Sequence, residues 1–181
     1  MENLIYWFDC TGKKMKSTTT VSSSLEHYKN LLGEVYAWSA GGIDRAVTVG
    51  QTEIESIELH STSVNDGNID KKIVVDLGAG FGMHSIPLSK LGYSVIAIDN
   101  SEILLQHLRE HTTENQVKTV VADLLEFNKY LDGSKAQAIL CMGDTLTHLP
   151  SLEYIKTLYR SVYESLVKGG RFVMSFRNYI T

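Results

Sequence analysis

The feature that most constrains this chain is a strand-like run that ends in an acid and leads directly into a glycine-rich turn. Residues 74–82 read Val-Val-Asp-Leu-Gly-Ala-Gly-Phe-Gly. Glycine lets the backbone turn sharply and lets a ligand approach where a Cβ would obstruct it. A helical pattern begins at Met83, directly after the turn. A strand, turn and helix in this order are typical of the first unit of a doubly wound sheet.

Strand-like and helix-like segments alternate along the rest of the chain. Predicted strands cover residues 73–77, 94–99, 117–122, 136–142 and 171–176, and predicted helices cover residues 83–91, 102–111 and 152–167. The strands are apolar over nearly their whole length, as expected when helices cover both faces of a sheet. The pattern therefore predicts an α/β fold with a doubly wound parallel sheet. Helix ends are expected at Gly92 and Gly169-Gly170, and helix caps at Ser101 and Ser151.

The sequence divides into three parts of different character, which at 181 residues are expected to form a single domain overall. Residues 1–24 are expected to form a flexible N-terminal arm, because its second half is rich in Ser and Thr. Residues 25–68 are expected to form a helical prelude or lid, with helices starting at Leu25 and Ile43, and a linker that contains Asn-Asp-Gly. Residues 69–181 form the expected core.

The composition of the chain limits the kinds of molecule with which it is expected to interact. A net charge of -4 without a long basic run disfavours nucleic acid, because general affinity for phosphates requires clustered Lys and Arg. We find no apolar stretch long enough to cross a bilayer, and acids near the N-terminus argue against a signal peptide, so a cytoplasmic location without a membrane partner is expected. Cys10 and Cys141 are interpreted as reduced thiols, and no metal site is predicted.

Three further acids stand at or just beyond the ends of the following strands. Asp99, Asp123 and Asp144 follow Asp76 at intervals of about one strand-helix-strand unit. Ligands of open parallel sheets bind outside the carboxyl ends of the strands, so these acids should face one crevice. An acid after the second strand can hold both ribose hydroxyls, which suits adenosine in a dinucleotide or in S-adenosylmethionine. Asp99 alone does not distinguish a dinucleotide from S-adenosylmethionine.

The spacing of the turn argues against a phosphate ligand. The dinucleotide fingerprint would place its third glycine at position 83, where the chain has Met83. Asp76 would repel a nearby pyrophosphate but would favour a cationic amino-acid group. A Walker-type loop is excluded because no Gly-Lys-Ser/Thr follows the turn.

Over residues 71–179 the chain resembles the class I S-adenosylmethionine-dependent methyltransferases. Residues 74–82 are similar to the first motif of this family, Ile98-Asp99 to the second, and residues 122–124 to the third. The resemblance implies that the turn lines the methionine part, that Asp99 holds the ribose, and that Asp123 and the Leu124 N–H meet the adenine. The residues assigned to the cofactor on this basis are Asp76, Gly78, Ala79, Gly80, Asp99, Asn100, Asp123, Leu124 and Met142.

The chain also departs from the family pattern. Members normally continue past the fifth core strand with a helix and an antiparallel hairpin, and this C-terminal hairpin is missing before Thr181. A truncated chain or a minimal domain would expose a sheet edge, through which we expect homo-oligomers to form. The Asn/Asp-Pro-Pro-Tyr motif of enzymes that methylate nucleobase amino groups is absent after the fourth strand.

Candidate acceptor residues lie outside the glycine-rich turn. His148, just after the fourth strand, is the candidate general base, although a histidine there also serves as a helix cap. Arg177 and Tyr179 follow the last strand and could hold an anionic or aromatic acceptor, while Tyr28 and Trp38 could belong to a lid.

These observations predict methyl transfer from S-adenosylmethionine to a small-molecule acceptor, which leaves S-adenosylhomocysteine as product. Two alternatives stay open. One is a nicotinamide-dependent oxidoreductase, and the other is a non-catalytic module that binds S-adenosylmethionine or a protein partner.

Overall fold

The computed structural model describes residues 4–8, 14–18, 38, 41–57, 59 and 72–175. A five-stranded parallel sheet forms the core. Its strands are β3 (Ile73–Leu77), β4 (Ser94–Asp99), β5 (Val117–Val121), β6 (Ala136–Cys141) and β7 (Leu166–Met174). The α-helices are α1 (Ile43–Ser56), α2 (Ser85–Lys90), α3 (Glu102–Glu110) and α4 (Leu152–Ser165), and 3₁₀ helices span Leu124–Leu131 and Thr145–His148.

Alternate residues of each strand build two separate apolar layers. Val74, for example, packs in the layer with α1, α2 and α3, whereas its neighbour Val75 packs in the layer with α4 and the first 3₁₀ helix. Side chains alternate across a strand, so apolar residues at successive positions bury both faces. The predicted doubly wound α/β fold is therefore confirmed.

The strand order reverses between β3 and β6. From β3 the chain adds β4 and then β5 on one side, and β6 and β7 lie on the other side of β3. The intervening helices lie on opposite faces of the sheet, as expected when crossovers of one hand run in opposite directions. The carboxyl ends of β3 and β6 consequently flank a crevice at the point where ligands of such folds bind.

Two of the predicted helix boundaries are confirmed. Ser101 caps α3, because its hydroxyl accepts a hydrogen bond from the Leu104 N–H at 3.4 Å. Gly92 follows α2 with a φ of +86°, the left-handed conformation that favours glycine after a helix. Ser151 occupies the N-cap position of α4 without a side-chain capping bond.

The prediction that Gly169-Gly170 closes the last helix is wrong. α4 ends at Ser165, and Leu166 already has extended dihedral angles. Gly169, with a φ of +79°, lies instead inside β7. There the pairing slips, since Leu166 pairs with Ala136 but Arg171 pairs with Ala138. The glycine pair therefore lies where the pairing of β7 with β6 is irregular.

The N-terminal part contains regular structure as well. β1 (Leu4–Phe8) and β2 (Lys14–Thr18) pair as an antiparallel hairpin inside the predicted arm of residues 1–24. The helix predicted from Leu25 lies outside the described residues, and the domain boundaries stay predictions. Among the described residues no helix has the length and apolar character needed to cross a membrane.

Candidate functional site

The glycine-rich turn after β3 has a backbone that suits glycine. Gly78, Gly80 and Gly82 have φ angles of +71°, +54° and +98°. A Cβ at Gly78 would lie 2.4 Å from the side chain of Thr145, and one at Gly82 would lie 2.3 Å from Leu108 Cδ1. A Cβ at Gly80 would meet only Leu104 Cδ1, at 4.0 Å. Two of the glycines thus allow close packing, whereas a Cβ at the third would make only an ordinary van der Waals contact.

Four backbone N–H groups of the turn donate hydrogen bonds to other groups of the protein. Gly78 and Ala79 donate to the Ile98 carbonyl oxygen at 2.8 and 3.0 Å, and Gly82 donates to the Ala79 carbonyl oxygen at 2.9 Å. The Gly80 N–H donates to Asp99 Oδ2 at 2.8 Å. Phosphate-binding turns present such N–H groups to the ligand. This turn directs three of the four to the end of β4 and keeps the Gly82 N–H within the turn.

Asp99 joins the turn to the beginning of α3. Its Oδ2 accepts the Gly80 N–H, and its Oδ1 accepts the Ser101 N–H at 2.8 Å. Burial raises the pKa of this carboxyl group, while hydrogen bonds from the Ser101, Gly80 and Asn100 N–H groups oppose that effect. A carboxylate offers about four acceptor positions, so a further donor can still bind, and the side chain is only partly buried. The adjacent Asn100 is exposed.

Asp76 lies beneath the turn. Its relative exposure is 1%, and its Oδ2 accepts a hydrogen bond from Ser85 Oγ at 2.6 Å. Burial raises the pKa of Asp76, and the neighbouring His84 and the Ser85 hydrogen bonds oppose the increase. Its contact with a ligand stays a prediction, since the structure places this carboxylate under the backbone that lines the crevice.

Asp123 and Leu124 begin the 3₁₀ helix that follows β5. Asp123 is exposed, and its Oδ1 accepts the Leu125 N–H at 2.9 Å as an N-cap. Leu124 is the first residue of the helix, where a backbone N–H has no partner within the helix. An exposed acid beside such an N–H can bind a group that both donates and accepts hydrogen bonds.

The loop after β6 reaches the turn through Thr145. Its hydroxyl donates to the Met142 carbonyl oxygen at 2.9 Å, and its methyl and hydroxyl groups lie over Gly78. Met142 is buried at the start of this loop, and His148 is exposed at the end of the short 3₁₀ helix. Burial raises the pKa of Cys141, the last residue of β6, to about 12, so this thiol is neutral and unsuited to nucleophilic chemistry.

The predicted acceptor residues are only partly covered by the structure. Trp38 is 81% exposed. Tyr28, Arg177 and Tyr179 lie outside the described residues. The roles of all four, and that of His148 as a base, stay predictions.

The helix predicted from Ile43 is confirmed as α1, but its packing on the turn was not predicted. α1 places Glu53 Oε2 at 2.7 Å from His84 Nε2, directly after the turn. His84 is buried at this contact. A glycine inside a helical pattern, Gly50, was the available signal, because such a glycine often marks a close approach of another segment.

A concave groove elsewhere contains none of these residues. It has a volume of about 730 Å³ and lies where β7 begins, beside the end of α4. Its lining includes Lys135, Tyr163 and Lys168. The strand-end acids therefore mark the candidate site better than the shape of the surface does.

A comparison with protein families finds one whose model matches this chain over residues 74–170, which is just over half of its length. That family is described as a methyltransferase domain. The matched range begins in β3 and ends in β7, so it contains the turn and all the strand-end acids.

Two relatives illustrate the sequence similarity. A glycine/sarcosine N-methyltransferase of Aphanothece halophytica is 28% identical over 160 residues, which cover 85% of this chain and 57% of that protein. The magnesium-protoporphyrin O-methyltransferase of Synechocystis is 27% identical over 138 residues, covering 73% and 55%. The chain thus spans little more than half the length of these curated relatives.

A solved structure shows the same architecture. The magnesium protoporphyrin IX methyltransferase of Synechocystis with bound S-adenosylmethionine superposes with a TM-score of 0.57 at 23% identity. The match covers 79% of this chain and 70% of that one. At this identity the likeness establishes the fold.

Proposed function

This chain belongs to the methyltransferase domain family, and on that premise we propose that its core binds S-adenosylmethionine and transfers the methyl group to a small molecule. One observation carries the choice of ligand. The Gly80 N–H, which a phosphate-binding turn would offer to its ligand, is held by the Asp99 carboxylate. A pyrophosphate there would face a negative charge, whereas a cationic nucleoside without phosphate would not be repelled.

The residues at the crevice fit this cofactor. A Cβ at Gly80 would meet one atom, at 4.0 Å, so the space beside this residue can accept the methionine part. Asp99 can accept hydrogen bonds from the ribose hydroxyls with its remaining lone pairs. Asp123 and the Leu124 N–H together match an adenine edge, which presents an amino donor beside a ring acceptor. Met142 would pack near the same ring system from the loop after β6.

The chemistry requires positioning more than acid–base strength. S-adenosylmethionine supplies a methyl group that is already activated on a positively charged sulfur. The chain's own residues at the ends of β3, β4 and β5 would hold the donor and orient it toward an acceptor. Exclusion of water and orientation are then the main contributions of the protein. His148 is the candidate to accept a proton from an amine or hydroxyl acceptor.

We propose a small-molecule acceptor that is methylated on nitrogen or oxygen. The names of the relatives support this choice, since they include N-methyltransferases for glycine and sarcosine and an O-methyltransferase for a porphyrin. A nucleic-acid acceptor is disfavoured by the net charge of -4. We further propose a cytoplasmic location and self-association through the outer edge of β7, which pairs only with β6 among the described strands.

Calorimetry with S-adenosylhomocysteine and with NADH tests the proposal. We expect saturable binding of the first compound and none of the second. Binding of NADH alone would support the oxidoreductase alternative and contradict our assignment. If S-adenosylhomocysteine binds, product formation from S-adenosylmethionine with glycine, sarcosine and a porphyrin separates an enzyme from a non-catalytic binding module.

A further inference from the structure

One face of α1 packs against the glycine-rich turn and the residues that follow it. Its buried residues are Ala46, Gly50 and Ile54, spaced by four positions so that they form a single stripe along the helix. Ala46 packs in one apolar cluster with Phe81 and Leu104. The turn residue Phe81 is therefore enclosed between α1 and α3.

Gly50 brings the backbone of α1 against the backbone that follows the turn. A Cβ at this position would lie 2.0 Å from the Met83 carbonyl oxygen and 2.8 Å from its carbonyl carbon. These atoms belong to the main chain, so they cannot move aside as a flexible side chain would. The distance between α1 and the turn is set by the absence of a side chain at Gly50.

A polar contact fixes the same helix one turn further on. Glu53 Oε2 lies 2.7 Å from His84 Nε2, and the His84 side chain is only 10% exposed. The next residue, Ser85, donates to Asp76 beneath the turn at 2.6 Å. A continuous set of contacts thus runs from Glu53 on α1 to the carboxylate that underlies the glycine-rich backbone.

The far end of α1 is attached to the sheet. Arg171 of β7 donates a hydrogen bond to the Ile57 carbonyl oxygen, where the helix ends. Carbonyl groups at the end of a helix lack intrahelical partners, and a cation there is favourable. α1 is therefore held at both the turn and the sheet.

We propose that α1 clamps the glycine-rich turn and that Glu53 is a positioning residue, which acts through His84 to hold the Gly80 N–H and Asp99 in the geometry that binds the cofactor. The inference rests on the proposed function for its ligand. Glu53 itself is about 42% exposed, and the contact through which it acts is the one with His84.

The test measures S-adenosylhomocysteine affinity by calorimetry on the full chain and its Glu53→Ala, Glu53→Gln and Glu55→Ala variants. We expect Glu53→Ala to weaken binding about fivefold or more, since a charge-assisted hydrogen bond is lost. Glu53→Gln keeps an oxygen acceptor for His84 and should recover affinity to within about twofold. Glu55, exposed on the same helix and bonded to Gln51, is the matched control and should leave affinity unchanged.

Hydrogen exchange without any ligand provides a second readout. The amides of residues 78–82 should exchange faster in Glu53→Ala than in the parent chain and in Glu55→Ala. Unchanged exchange of these amides, or a Gln variant that behaves like the Ala variant, overturns the clamp. A parent chain that binds no S-adenosylhomocysteine contradicts the proposed function instead, and the exchange data still decide whether the clamp exists.

Discussion

Asp99 has a structural role in the turn, and we propose that the same carboxylate binds the ligand. Both of its oxygens already accept backbone N–H groups, from Gly80 and Ser101, so the side chain is fixed before any ligand arrives. A fixed acceptor loses little conformational entropy when ribose hydroxyls bind. Asp99→Ala should therefore weaken S-adenosylhomocysteine binding by about 1 to 3 kcal/mol, measured by calorimetry.

Glu110→Ala is a suitable control for this prediction. Glu110 ends α3, and its side chain is exposed away from the crevice, so its removal changes net charge without changing the site. Equal affinities of the Asp99 variant and the parent chain would refute the ribose assignment.

Asp76 should give the stability of the protein a distinct dependence on pH. Burial raises its folded-state pKa above the unfolded value near 3.8. Between these two pKa values the folded state binds the proton more tightly, so this group's contribution to stability is lost as pH rises through the folded pKa. Asp76→Asn removes the titration and still offers an oxygen to Ser85 Oγ.

We therefore expect the free energy of unfolding of Asp76→Asn, relative to that of the parent chain, to increase from about pH 4, near the unfolded pKa, to about pH 8. Urea denaturation of the ligand-free proteins at both pH values measures this difference. Parallel pH profiles of the two proteins would show that the carboxyl group does not titrate as the structure implies.

At the scale of elements, two glycines of the same turn should respond differently to a methyl group. A Cβ at Gly82 would lie 2.3 Å from the buried Leu108, and its φ of +98° is strained for alanine. We expect Gly82→Ala to destabilise the fold by about 2 to 4 kcal/mol. Gly80→Ala should cost only about 1 to 2 kcal/mol, because the methyl group has space and only the left-handed backbone is unfavourable.

The order should be reversed for ligand affinity, which we expect Gly80→Ala to reduce more than Gly82→Ala. The methyl group of Gly80→Ala would project into the space assigned to the cofactor, so we expect its affinity for S-adenosylhomocysteine to fall by at least about tenfold. Urea denaturation and calorimetry on the two variants check both halves of the prediction. Normal affinity in a stable Gly80→Ala protein would place the cofactor elsewhere.

Sequence patterns predicted the core elements because burial on both faces leaves a strong signal. β3, β4 and β6 lie under helices and are apolar over most of their length, and their predicted bounds agree with the structure to within a residue. The end of α4 was misplaced because Gly169-Gly170 is equally consistent with a helix end and with an irregular strand. The β1-β2 hairpin was missed because Lys14–Thr18 is polar and carries little apolar periodicity.

The candidate site was predictable where it depends on local sequence. The turn and Asp99 follow from a strand, its glycines and the next strand end, and the structure joins them through the Gly80 N–H. The position of Asp76 beneath the turn was not predictable, because its burial depends on how α2 packs. The contact between Glu53 and His84 joins residues 31 positions apart and depends on the docking of α1.

At the scale of the whole molecule, the sheet separates two sets of elements. The layer with α1, α2 and α3 supports the turn and the end of β4, whereas α4 and the two 3₁₀ helices pack on the other face. The proposed donor and acceptor would thus be held by opposite halves of one sheet, which meet between β3 and β6. A rigid sheet between the two halves keeps their relative positions constant, as in-line transfer requires.

The outer edge of that sheet should make the chain self-associate. β7 pairs only with β6 among the described strands, and an unpaired edge can bind another strand. Near this edge, Tyr159 packs edge-on against Phe172, and Tyr163 is 84% exposed on the same helix.

Tyr163→Lys should shift sedimentation toward the monomer while leaving the unfolding transition unchanged, because this side chain is hardly buried. Tyr154→Lys, on the opposite side of α4, should sediment like the parent chain, and equal effects of both variants would show that association does not use this edge.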